Sequence, residues 1–232
     1  MHLDPATIFF QMIAFLFAIS LHEAAHAWTA NRCGDPTAKM LGRITLNPLR
    51  HIDPFGTILI PLIGMLSSIG FIGWARPTPV EPRNFKRPVA DDILVSLAGP
   101  ASNVVLIVIF GGILKVCGIY FRMHHVQSIS GSAEALLNLL LISVEINVIL
   151  AIFNLIPIPP LDGSHVIRHF LSGSALATYD KVGTYGLMLL FIANMFFNFL
   201  GYLFRPPIPC TVCTRSPPFG TLHSPSPAFQ RR

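Results

Sequence analysis

Charge is scarce in this chain. Of 232 residues only 12% are Asp, Glu, Lys or Arg, where soluble domains carry about 25%. Hydrophobic residues make up 52% and the mean hydropathy is +0.61. Such a composition excludes an ordinary water-clad globule and points to an integral membrane protein. Cysteine is scarce too: Cys33, Cys117, Cys210 and Cys213 are too few and too scattered for a disulfide framework. Acidic residues are the rarer sign, 11 against 16 Lys and Arg. The net charge of +5 does not call for nucleic acid, because Lys and Arg collect in loops beside a membrane, and the bilayer is the expected partner. A basic stretch ahead of the first apolar run is missing, so that run is expected to stay as a membrane segment rather than be cleaved. Internal repeats are missing as well, which excludes solenoids and propellers.

Long apolar runs are what the chain has in quantity. Runs of about 20 residues signal a spanning helix, and three are plain at 6–31, 92–119 and 134–156, with a fourth, rich in Phe and Leu, at 182–204. The stretch 57–74 is interrupted by Pro61, Gly64, Gly70 and Gly73, so it either spans or dips in and returns. The expected fold is an all-α polytopic membrane protein of about four transmembrane helices. Between the runs, residues 32–56 alternate partly around "KMLGRITL", which predicts a short β-hairpin. Residues 75–90 hold four prolines and cannot be a helix interior; "PTPVEP" reads as an edge strand or polyproline segment. From Arg205 onward Pro and Ser dominate with no acid. That predicts a disordered tail at 205–232 beside one membrane-embedded domain at 1–204.

Inside the first run stands "SLHEAAHAW", residues 20 to 28. Ionisable groups in a bilayer are costly and usually mark a site. His22 and His26 are one helical turn apart and share a face, the arrangement that lets two imidazoles reach one Zn²⁺ at about 2.0–2.1 Å. Glu23 lies beside them, placed to act on water without ligating the metal. A hydrolytic zinc keeps one position open, so a third protein ligand is needed. The best candidate is Asp162 in "FNLIPIPPLDGSHV", just past the 134–156 run. A turn or N-cap Asp for a helix starting near Gly163 is the competing reading. His165 and His169 are also four apart, but lack a glutamate between them and have Arg168 alongside; they read as a solvated helix face. Cys210 and Cys213 have metal or redox spacing without a second pair. His51, between Arg50 and Asp53, either contacts substrate or orders its loop.

His22-Glu23-Ala24-Ala25-His26 in a membrane helix, with Asn154 to Gly163 as "NLIPIPPLDG" and "LAGPASN" at 97 to 103, resembles the site-2 protease family of intramembrane zinc metalloproteases (M50). "GRITLNPLRHIDPFGT", residues 42 to 57, is similar to a compact prokaryotic branch without PDZ or CBS domains. The resemblance implies one zinc held by His22, His26 and Asp162, with Glu23 as general base. It also implies that Asn154 and Asn103 place the substrate backbone, and that the substrate is a transmembrane protein.

Depth provides an independent check on this metal reading. His22 would lie about 24 Å along a helix begun at Ala6, near the far side of a core about 30 Å thick. For Asp162 to join it, the first and third plain runs must end on one side, which requires 57–74 to be re-entrant. Loops 32–56, 75–91 and 157–181 then share that side and carry ten of the sixteen Lys and Arg, so the site is expected to open toward the cytoplasm from the cell membrane. Two other functions fit parts of the pattern. A metal-ion transporter would show ionisable groups along several spans, whereas 92–114 and 182–204 hold only Asp92 as an acid. An inactive relative that binds membrane partners would not need Glu23.

Overall fold

The computed structural model of the protein describes residues 5–66, 73–124, 131–181, 183, 185 and 186. Most of the 182–204 run and the whole tail lie outside them. Three helices are long and apolar enough to cross a membrane: α1 (Pro5–Cys33), α3 (Pro88–Met123) and α4 (Ser132–Asn154). They coincide with the three plain apolar runs, and each packs against the other two. A short helix α2 (Ile60–Leu66) precedes α3, and α5 (Asp162–Arg168) follows α4.

Proline at N1, where a missing N–H costs nothing, opens α1 at Pro5 and α3 at Pro88. α1 stops at Gly34, whose φ of 115° suits glycine and where a Cβ would meet the Asn84 carbonyl at 2.9 Å. Small residues Ala14 and Ala18 let α1 approach its neighbours closely; with Phe15, Ile19, Ile146 and Leu150 they form the main core. The outer face of α3 is left apolar and exposed at Val104, Val108 and Val116, as lipid contact requires. At 1.5 Å per residue its 36 residues reach about 54 Å, well past the hydrocarbon core.

The helices run in alternating directions. Along α1, His26 meets Val95 and His22 meets Asn103 of α3, so these two are antiparallel. Asn103 in turn meets Asn147 of α4, and the last turn of α4 shares a cavity with His22 and His26. α1 and α4 therefore run parallel, with the end of α4 at the level of His22 and His26.

Among the described residues there is no β-strand. The hairpin expected at 32–56 is instead a loop with a helical turn at Thr37–Met40 and a 3₁₀ turn at Pro48–Arg50. Polar–proline pairs decide this. Asn47 caps the turn opened by Pro48 and Asp53 caps the one opened by Pro54, each side chain accepting from the new turn's N–H groups. The loop is closed by side chains rather than a ladder: the Arg43 guanidinium donates to the Arg50 carbonyl and His51 Nε2 to Thr45 O at 2.9 Å. His51 is 1% exposed, so it orders the loop.

The interrupted stretch after residue 56 begins with a π-helical turn, Pro54–Leu59, that continues into α2. Together they make 13 residues, too few to span. The chain is back where it left by Trp74, whose N–H donates to Gly56 O at 3.0 Å and whose carbonyl accepts from Thr57 Oγ1 at 2.7 Å. The Trp74 indole covers Gly56 so closely that a Cβ there would lie 2.2 Å from it. Residues 73–81 then form an irregular strap without a ladder, so the expected edge strand is not formed among the described residues. Pro77 and Pro79 are poor ladder members, and side chains bind the strap's backbone instead. At its far end stands Asp35, fully buried, accepting from Thr37 N, Thr37 Oγ1, Asn84 Nδ2 and Glu81 N. Hydrogen bonds to a charged group contribute about 1.5–3 kcal/mol each. Burial alone would raise the Asp35 carboxyl, but these bonds hold it below its ordinary range.

Candidate metal centre

One face of α3 supplies the back wall of the site. Asp92, Val95, Gly99 and Asn103 recur at helical spacing and all point toward α1 and α5. Gly99 is where the imidazoles of α1 lie flush on α3. A Cβ there would stand 2.3 Å from His26 Nε2 and 2.6 Å from His22 Nε2, so the contact admits no side chain.

The protonation pattern follows from a chain of hydrogen bonds that starts at a backbone carbonyl. Ser143 O can only accept, so it faces the amide nitrogen of Asn147, at 2.7 Å. Asn147 therefore offers its oxygen to Asn103 Nδ2 (2.8 Å), and Asn103 offers its oxygen to His22 Nδ1 (2.7 Å). His22 must donate from Nδ1, as must His26, whose Nδ1 faces Val95 O at 2.7 Å. In the neutral rings both Nε2 atoms are then acceptors, and they face one another at 3.1 Å. Asp162 Oδ2 joins them at 3.2 and 3.4 Å. It is buried with no hydrogen-bond partner.

Three inward-facing acceptors with no proton between them repel unless a cation joins them. Tetrahedral zinc with ligands at 2.0–2.1 Å separates those ligands by about 3.3 Å, against 3.1, 3.2 and 3.4 Å here. Residues and spacing fit the metal. Among the described residues His22, His26 and Asp162 are the only group that could hold one. The N-cap reading of Asp162 does not apply: α5 has no side-chain cap and its carboxylate turns to the imidazoles.

Glu23 stands beside this group without joining it. Its Oε2 accepts from Thr78 N at 2.8 Å and Thr78 Oγ1 at 2.6 Å, so the strap holds the carboxylate from outside. A cavity of about 510 Å³ opens here, lined by Glu23, the metal group, strap residues Pro77, Thr78 and Val80, and the end of α4.

Of the two asparagines expected to place substrate, Asn154 lines this cavity. Asn103 does not: it is fully buried and its side chain is spent on His22 and Asn147. It stands behind the metal group and orients an imidazole, as partners of metal-binding histidines do. His165 and His169 also differ in part from expectation. They stay exposed, as a solvated face would, but each also turns to Asp92 of α3, at 3.5 and 2.7 Å, because a buried carboxylate at the start of an apolar helix needs partners. Thr78, Asn147 and Asp92 were not among the expected site residues. Asp92 alone left a trace, as an acid at the edge of an apolar run. Cys210 and Cys213 lie outside the described residues.

The model of peptidase family M50 matches residues 10–196. Relatives that carry the name "Putative zinc metalloprotease" include YwhC of Bacillus subtilis, 39% identical over 181 residues that cover 78% of each chain. Rip2 of Mycolicibacterium smegmatis is 34% identical over 80% of this chain and 66% of its own. Rip2 of Mycobacterium tuberculosis is 31% identical over 86% of this chain and 74% of its own. No solved structure matches.

Proposed function

The chain belongs to peptidase family M50, and from that premise we propose that it is a zinc metalloprotease that hydrolyses peptide bonds of transmembrane proteins within the bilayer. The observation that carries the reading is the convergence of three acceptors, His22, His26 and Asp162, on one point beside Glu23 at the end of an apolar helix. Zinc held there would supply a Lewis acid to polarise the scissile carbonyl and to acidify water. Glu23 takes the proton of the attacking water on the oxygen that Thr78 leaves free, then delivers it to the leaving amine. Asn154 in the cavity wall holds the substrate backbone. The substrate helix must unwind to bare its carbonyls, and the strap, which has no ladder partner, offers an edge for the opened segment.

In the membrane, the 57–74 stretch is re-entrant, with its ends joined through Gly56 and Trp74. The Lys- and Arg-rich loops face the cytoplasm and the site opens to that side of the cell membrane. Transport is the weaker reading: a path needs polar groups through several spans, and the lower two thirds of α3 carries only Lys115 and Arg122 as charges.

The test pairs metal analysis with cleavage of a model single-span substrate in liposomes. Glu23→Gln should keep about one zinc per chain and lose roughly 10²- to 10⁴-fold in rate. Asp162→Ala should lose the metal. Zinc lost from Glu23→Gln would make Glu23 a ligand, and normal zinc in Asp162→Ala would remove the third ligand. A wild-type protein that holds zinc and cleaves nothing would overturn the proteolytic reading.

A further inference from the structure

Asp92 is bound to two imidazoles that do different things. It lies on the α3 face that carries the back wall of the site, and it is 9% exposed. Its Oδ2 takes His169 Nε2 at 2.7 Å, while Oδ1 faces His165 Nδ1 at 3.5 Å. The His169 side chain is 24% exposed and is spent on this bond, which ties the segment after α5 to α3. The His165 side chain is 49% exposed and lines the same cavity as Glu23, His26 and Asp162. It sits one turn after Asp162 on α5, hence on the same face. With Nδ1 turned to Asp92, the far nitrogen Nε2 has no hydrogen-bond partner among the described residues, and the ring lines the cavity.

These residues do not make a second metal site. The histidines address opposite oxygens of Asp92, and their ligand atoms do not converge as those of His22, His26 and Asp162 do. A carboxylate behind Nδ1 and an open cleft before Nε2 suit an imidazolium: the neutral ring with its proton on Nδ1 presents Nε2 as an acceptor, and a second proton turns Nε2 into an oriented donor. Asp92 also raises the affinity of His165 for a second proton, against the opposing effect of burial.

We propose that His165, protonated on both ring nitrogens and oriented by Asp92, donates from Nε2 to the scissile carbonyl oxygen as negative charge develops on it. This rests on the proteolytic reading above and adds a second stabiliser of that charge, one belonging to the protein. His165 is then a catalytic residue and Asp92 a positioning residue. The contribution is electrostatic, aimed at charge that exists only near the transition state, so it acts on kcat rather than on substrate binding.

The experiment measures zinc content, kcat and KM on the model single-span substrate, and inhibition by a phosphinic peptide built on the cleaved bond. The phosphinic group mimics the tetrahedral, negatively charged state. His165→Ala should keep wild-type zinc and nearly wild-type KM, lose roughly 10²-fold in kcat, and bind the phosphinic peptide more weakly by a similar factor. His165→Gln, which retains an N–H donor on a side chain of similar reach, should recover part of both. Asp92→Asn should lower kcat and phosphinic affinity in the same direction but less. If His165→Ala instead loses zinc in step with activity, or raises KM while kcat and inhibition stay unchanged, the donor role is overturned and His165 merely holds α5 in place. Wild-type and Glu23→Gln proteins run alongside. No cleavage by wild type defeats the proteolytic reading itself. Cleavage that Glu23→Gln abolishes and His165→Ala leaves intact defeats only the role of His165.

Discussion

At the scale of single residues, the site is built as much from what is absent as from what is present. Gly99 contributes no side chain, and that is its function: the two Nε2 atoms lie within 2.6 Å of where its Cβ would be. Gly99→Ala should therefore displace both imidazoles. Atomic absorption on the purified variant should find most of the zinc lost, while circular dichroism keeps the helical signal, since alanine is a better helix former than glycine. Full zinc occupancy in Gly99→Ala would mean that α3 shifts to admit the methyl group. The asparagine relay makes a related point. A fully buried Asn103 would be costly without its two bonds; with them it sets the tautomer of His22 and leaves Nε2 free for a metal.

At the scale of elements, the decisive feature is that Trp74 lies back against Gly56. Thirteen helical residues cannot cross a core about 30 Å thick, and the Trp74–Gly56 bond returns the chain to the level it left. That arrangement makes α1 and α4 parallel and brings Asp162 to the histidines. Single cysteines at Lys39 and Arg83, in a chain stripped of its own cysteines, should label with a membrane-impermeant thiol reagent from the cytoplasmic side. One at Met123 should label from the opposite side. Labelling of Lys39 and Arg83 positions from opposite sides would make 57–74 a span and would separate the ligands by the thickness of the bilayer.

At the scale of the whole molecule, the metal should hold the three helices together. His22 and His26 belong to α1, Asp162 follows α4, and α3 orients both imidazoles. Removing the cation leaves three acceptors facing one another in a buried site. Chelation should lower the melting temperature in detergent, and restored zinc at 1,000 times its Kd should return about 4 kcal/mol. An unchanged melting temperature after complete zinc removal would mean that the helices pack without its help. The tail makes the opposite case. Residues 206–232 hold no acidic residue and no periodicity. Their deletion should leave cleavage of the model substrate within about twofold at equal protein levels. A larger loss would give Cys210 and Cys213 a role in activity.

What could be read along the chain was whatever depends on local pattern. Apolar runs follow from the thickness of a bilayer, and three of them lie within a few residues of α1, α3 and α4. His22 and His26 follow from helical spacing, because residues four apart share a face whatever surrounds them. Asp162 was legible as an acid stranded beside hydrocarbon. What could not be read depends on approach between distant segments. The hairpin expected around residue 44 is a loop because Arg43 and His51 close it through side chains, and no alternation pattern reports that. Asn103 reads as a polar residue near a site, but whether it faces substrate or the back of an imidazole depends on how α3 is rotated against α1. Asp92 reads as an acid at the edge of an apolar run and His165 and His169 as a solvated face, unrelated because 73 residues separate Asp92 from His165. Only the packing of α5 onto α3 brings them together, where a buried carboxylate must find partners or remain unpaired.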